Sequence, residues 1–297
     1  MGGAFTAVAD DASAVFWNPA GLASGAFVSA VADFNALNTP AGSDLRHQSS
    51  AGLIAVGIPP LGLSYTRTFT RRFTPMSTSS GALVRDDTLV AHHFGVTLVQ
   101  SVWGGVSLGA TLKLVHGVAS QGFAAGSDPQ MAFGAAEGNA NVAGAHSTDK
   151  FDVDLGVMKS GSLGRVGVMV RDLLRPSFAL GSADSGSIRL DRQVRAGASL
   201  NVSDSTLVAV DADLTRRPWT RGDWRDAAVG VEQHVSSRAS IRGGLHWNTA
   251  GDAMGLAPEG CVGASYAVYG RTSLDGQATF GSANGDRGWG AGVRIAY

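Results

Sequence analysis

The sequence predicts an all-β fold: a closed antiparallel transmembrane β-barrel of about fourteen strands, preceded by a short N-terminal segment that packs inside or under it. Three observations carry this. From about residue 27 onward, apolar residues recur at every second position, in runs broken by Gly, Ser, Asn, Asp and Pro, which is the period of a strand and not of a helix. Many runs are about ten residues long, the length at which a tilted strand crosses a bilayer. The connections alternate short and long, as in barrels with tight turns on one side of the membrane and large loops on the other.

Residues 1–24 have a different pattern. Asp10 or Asp11 is placed to cap a short helix over Ala12–Trp17, and Asn18-Pro19 ends it, because the residue before a proline is driven out of the α region. Gly21 follows as a turn residue. The segment is too short for a domain and too apolar to lie in water, so the expected division is 1–24 against a barrel of 25–297.

Strands are expected near 27–34, 50–58, 61–70, 88–101, 104–116, 149–159, 163–172, 187–201, 206–215, 225–235, 239–248, 259–268, 270–280 and 287–297. The cleanest sets Val106, Leu108, Ala110, Leu112 and Leu114 against Ser107, Gly109, Thr111 and Lys113. Val166, Val168 and Val170 oppose Arg165, Gly167, Met169 and Arg171 in the same way. The last run ends on Tyr297, a terminal aromatic like the assembly signal of outer-membrane barrels. Short turns fall at Pro59-Pro60, 102–105, 160–162, 202–205, 236–238 and 269–270; the longer connections are 35–49, 71–87, 117–148, 173–186, 216–224, 249–258 and 281–286.

Composition narrows the alternatives. With 41 glycines in 297 residues and 16% charged residues, the chain departs from ordinary soluble domains, which hold about 7% Gly and about 25% charge. A formal net charge of -1 gives no attraction to nucleic acid, and none is expected as a partner. Cys261, the single cysteine, excludes an intrachain disulfide and a Cys-based zinc site. The longest uncharged stretch is interrupted by His92, His93, Gln100 and Gly104-Gly105, so no helical span is expected. An export leader is not evident at Met1, so it is expected to have been removed or to lie upstream.

A soluble β-sandwich would alternate in the same way, with its apolar faces turned inward. The polar faces argue otherwise: Lys113, Arg165, Arg171, Arg242 and Arg294 look the same way as Asp152, Asp154, Asp211 and Asp213, a balance suited to a crowded polar lumen. A barrel also removes every sheet edge. Arg should therefore cost more at Val168 or Val210, facing lipid, than at Gly167, unless the lumen is too crowded there. The paired aspartates are expected to meet lumen arginines rather than calcium, and no metal or cofactor is expected. His93, His246, Ser240 and Ser265 lie on polar faces, but no Gly-x-Ser-x-Gly elbow accompanies them, so no enzyme is expected. The 117–148 connection is Gly/Ala-rich, lacks Lys and Arg and carries Phe123, Met131 and Phe133, a candidate entrance for an apolar ligand.

Gly2-Gly3-Ala4-Phe5-Thr6-Ala7-Val8-Ala9-Asp10-Asp11, followed by Ala14-Val15-Phe16-Trp17-Asn18-Pro19-Ala20-Gly21-Leu22, resembles the superfamily of hydrophobic-compound transporters typified by FadL, which includes PorV- and PorQ-like outer-membrane proteins. The resemblance implies a bacterial outer-membrane barrel with the N-terminal segment folded in as a hatch, built around Asp10, Asp11, Asn18, Pro19, Ala20 and Gly21. It implies one of two functions: passage of a hydrophobic small molecule such as a fatty acid or hydrocarbon, or PorV-like, non-enzymatic anchoring of secreted polypeptides. Expected partners are outer-membrane lipid and lipopolysaccharide, with an apolar ligand or a secreted or surface protein. Fourteen strands lie between the filled eight-stranded barrel and the water-filled sixteen-stranded porin.

Overall fold

The computed structural model describes residues 1–38, 47–78, 81–126, 145–181, 186–219, 222–250, 258–281 and 286–297. The strands in chain order are β1 (Ser29–Asn38), β2 (His47–Ile58), β3 (Leu61–Thr78), β4 (Gly81–Ser101), β5 (Val106–Gly126), β6 (His146–Ser160), β7 (Gly164–Arg171), β8 (Ser177–Ala179), β9 (Ser187–Arg189), β10 (Gln193–Ser203), β11 (Thr206–Asp213), β12 (Arg217–Trp219), β13 (Gly222–Trp224), β14 (Asp226–His234), β15 (Ala239–Asn248), β16 (Glu259–Tyr269), β17 (Thr272–Gly281) and β18 (Arg287–Ala296). Fourteen of them form one closed antiparallel ring; among the described residues β8 pairs only with β9, and β12 only with β13. The ring closes between its first and last strands, with Ser29 opposite Ala296 and Asn38 opposite Arg287. Closure leaves no row of unpaired backbone groups, the condition a sheet must meet inside lipid.

Each of the fourteen expected runs corresponds to a ring strand, but several differ in extent. β3 and β4 continue to Thr78 and from Gly81, and β5 to Gly126, where the 71–87 and 117–148 connections were expected to be loops. Outside the apolar layer both faces of a strand tolerate polar residues, so period-two alternation fades while pairing continues. Arg71 and Asp86, joined at 2.6 Å across β3 and β4, are such a polar pair. The 187–201 run divides: Ser187–Arg189 joins the small hairpin and the ring strand begins at Gln193. Asp191 at the break draws in Arg189 and Arg175 at 2.8 and 3.3 Å. Arg192 donates to the carbonyl of Leu173.

The two faces of the ring differ sharply. Leu98, Leu114, Val166, Val210 and Ile241 are 48–55% exposed, while Thr97, Thr111, Asp152 and Asp211 on the opposite face are at most 4% exposed. A soluble sandwich would show the reverse. With an apolar exterior and a polar, filled interior, this is a transmembrane β-barrel. Among the described residues no helix is long and apolar enough to cross a membrane.

Candidate functional site

The lumen is occupied at the short-turn end by the N-terminal segment. Its helix runs over Ala14–Trp17 and is followed by a 3-10 turn over Pro19–Ser24. The helix thus starts two residues later than expected. Asp11 accepts from the backbone N–H of Ser13 at 2.8 Å and organises the entry, while Asp10 leaves the helix and meets Arg165 at 2.8 Å. Asn18 is extended, with φ -162°, and fully buried. Its amide donates to the carbonyls of Thr6 and Val157, at 3.1 and 3.2 Å, and its oxygen accepts from Ala20 N–H at 3.2 Å. One side chain thus ties the start of the segment, its turn and the wall of β6. Pro19 fits because, at the head of the 3-10 turn, no donor is required of it.

The wall reaches toward the segment with fixed groups. Asp211 accepts the N–H groups of Phe5 and Thr6 at 3.1 and 3.0 Å. Ser107 donates to Ala20 O and Ser199 to Ala7 O, both at 3.0 Å. Arg171 donates to Phe16 O at 2.6 Å and lies 3.9 Å over the Phe16 ring, and Arg294 reaches Asp11 at 3.3 Å. Where the segment comes closest, the wall is glycine. A Cβ at Gly109, Gly156 or Gly244 would collide with Pro19, Asn18 or Met1, and one at Gly167 would stand 2.7 Å from Asn18 Nδ2. At Gly167 the lumen is thus crowded, the condition under which Arg there is no milder than on the lipid face. Gly21 likewise lets its turn close on Ala9.

Toward the long-loop end the lumen carries ion clusters. The Lys113 ammonium meets Asp152, Asp154 and Asp172 at 2.9, 2.7 and 2.7 Å, three acceptors for its three donors. These carboxylates stand close enough together to hold a divalent cation, but the lysine takes the cation's place. Asp152 and Asp154 thus meet a lysine where an arginine was expected. Arg195 does pair with Asp211 and Asp213, at 3.4 and 3.5 Å; nearer the short turns, Arg242 bridges Glu232 and Asp275 at 2.8 and 3.2 Å. The wall of β16 to β18 and β1 is less covered, and the inward Gln277 beside Asn35 is exposed.

Phe123 lies on β5 and is 54% exposed; Met131 and Phe133 lie outside the described residues. Ser240 and His246 share β15 but stand six positions apart, about 20 Å along a strand. His246 instead meets Asp226 and Glu259. The sequence reading missed the glycine floor, the bonds from Ser107 and Ser199, and Asp172. Inward glycines recurring in neighbouring strands were the available signal for the first.

A family profile described as F plasmid transfer operon, TraF, protein matches residues 20–213, well over half of the chain. The chain belongs to this family. Among solved structures, CymD, a monoaromatic hydrocarbon channel, superposes with a TM-score of 0.66 at 14% identity, over 99% of this chain and 93% of that one. The toluene transporter TbuX of Ralstonia pickettii gives 0.65 at 12%, over 98% and 95%. A FadL homologue from Pseudomonas aeruginosa gives 0.55 at 12%, over 98% and 94%. At these identities the likeness concerns the fold, and that fold is the one implied by the N-terminal resemblance. No curated protein matches the chain in sequence.

Proposed function

We propose that this barrel resides in the bacterial outer membrane and passes small hydrophobic molecules of the fatty-acid or hydrocarbon kind, with residues 1–24 as a hatch in a barrel of residues 25–297. The observation that carries the reading is the seat of the N-terminal segment: a glycine floor and a set of fixed donors and acceptors shaped to hold a plug in the lumen. Solved barrels of the same fold are named as a monoaromatic hydrocarbon channel and a toluene transporter, which supports the same class of cargo. The family description names a plasmid transfer operon, a genetic setting and not a cargo.

No catalytic role is assigned to the lumen charges. Lys113, Asp152, Asp154, Arg165, Arg171, Asp211, Asp213 and Arg294 serve to hold the hatch and the loops, Arg242 ties β14 to β17 across the wall, and the exposed apolar belt meets outer-membrane lipid, with lipopolysaccharide at the loop side. The test is entry of the apolar fluorophore N-phenyl-1-naphthylamine across a lipopolysaccharide-bearing membrane. Cells expressing the chain should take it up several-fold faster than cells with an empty vector. Equal rates, with the barrel shown to be assembled, would remove the transport reading.

A further inference from the structure

Along β5 the inward face is used at three levels. Ser107 and Gly109 meet the N-terminal segment, Lys113 centres the ion cluster, and Gly117 receives the ring of Phe178. Phe178 belongs to the small β8–β9 hairpin, which hangs from β7 and β10 and turns into the barrel. Its side chain is fully buried, and a Cβ on Gly117 would collide with the ring. Leu89, Ala91, Val115 and Ala119 complete the seat, and Leu180 joins the same cluster. This is an apolar seat inside a lumen whose neighbouring level is charged.

The root of the hairpin is constrained. Asp172 and Arg175 have φ values of 52° and 58°, the left-handed region that residues with a side chain seldom enter. Each is held there. Asp172 pairs with Lys113 and donates its N–H to Asp154 at 2.8 Å, Leu174 N–H donates to Asp152 at 3.0 Å, and Arg175 meets Asp191. Among the described residues β8 and β9 form a sheet of their own, apart from the ring, so no strand pairing ties the hairpin to the wall and it can move as a unit.

We propose that the seat over Gly117 is a binding subsite for an uncharged apolar molecule with a ring-sized face, and that Phe178 is its built-in occupant. The inference rests on the reading of the chain as a passage for apolar solutes. A solute arriving from the loop side takes the seat as the hairpin swings out on its ion-paired root. One apolar face replaces another, so the seat is never left as an empty cavity, which would be the costly state.

The test uses the full chain in lipid nanodiscs, with saturable binding of tritiated toluene measured after subtraction of protein-free discs, and bilayer conductance as a second readout. Phe178→Ala empties the seat and should bind toluene about tenfold more tightly than the parent, a shift of about 1.4 kcal/mol. Gly117→Val fills the seat with a side chain and should abolish the binding. Both variants release the hairpin, so both should raise ion conductance. Opposite effects on binding with the same effect on conductance are the signature. Equal toluene affinity in all three proteins would overturn the subsite and leave the transport reading standing. An absence of saturable binding in all three would also overturn it, and naphthylamine uptake would then decide the transport reading separately.

Discussion

The outer and inner faces of the same strands are made by different rules. In β7, Val168 looks out and its neighbour Gly167 looks in. Val168 is 41% exposed among other apolar side chains, and its requirement is to match lipid. Gly167 faces Asn18 and Thr6 with no room for a Cβ, and its requirement is to match one partner. The outer face solves a solvation problem, which composition and period-two alternation meet almost regardless of which aliphatic residue is used. The inner face solves a packing problem, in which each small or charged residue answers a specific group on the N-terminal segment or a loop.

Breaking the outer rule should have the largest local effect. Arg at Val168 should cost about 2–4 kcal/mol near the bilayer midplane, read as a lower urea midpoint for barrels folded into lipid vesicles. A cost near zero would mean that this face does not meet lipid. On the inner face, Asn18→Ala removes three hydrogen bonds and leaves the buried carbonyl of Thr6 and the half-buried one of Val157 without that donor. This should cost about 1–3 kcal/mol, and because the loss falls on the segment, ion leak should rise more than the urea midpoint falls.

Gly156→Val tests the floor from the other side. Overpacking costs about 1–3 kcal/mol, and here the segment should yield before the ring does, so leak again exceeds destabilisation. The smallest effect is expected at Asp10. Its side chain is 47% exposed in the pair with Arg165, so Asp10→Ala should change stability by about 0.2–1 kcal/mol and leak only slightly. A large effect at Asp10 combined with none at Asn18 would invert this ranking and show that surface charge, not buried packing, seats the segment.

This contrast also explains what the sequence made legible. The strand count and the lipid face were readable because alternation records an average environment. The additional length of β3, β4 and β5 was not, since outside lipid the environment no longer differs between faces. Asp10, Asp11 and Asn18 stood out as residues of capping chemistry, but whether they bond locally or across the lumen depends on partners more than a hundred positions away, such as Asp10 to Arg165 and Asn18 to Val157. Phe178 gave no periodic signal at all, because its three-residue strand is too short to establish one.

On the proposed reading, residues 1–24 close a barrel that stands without them. Single-channel conductance of the full chain and of a chain lacking residues 1–24, each reconstituted in planar bilayers and each shown to be folded by heat-modifiable mobility, tests it most directly. The truncated barrel should open to a steady conductance several-fold above that of the full chain. Equal conductance from two folded barrels would mean that the segment closes nothing.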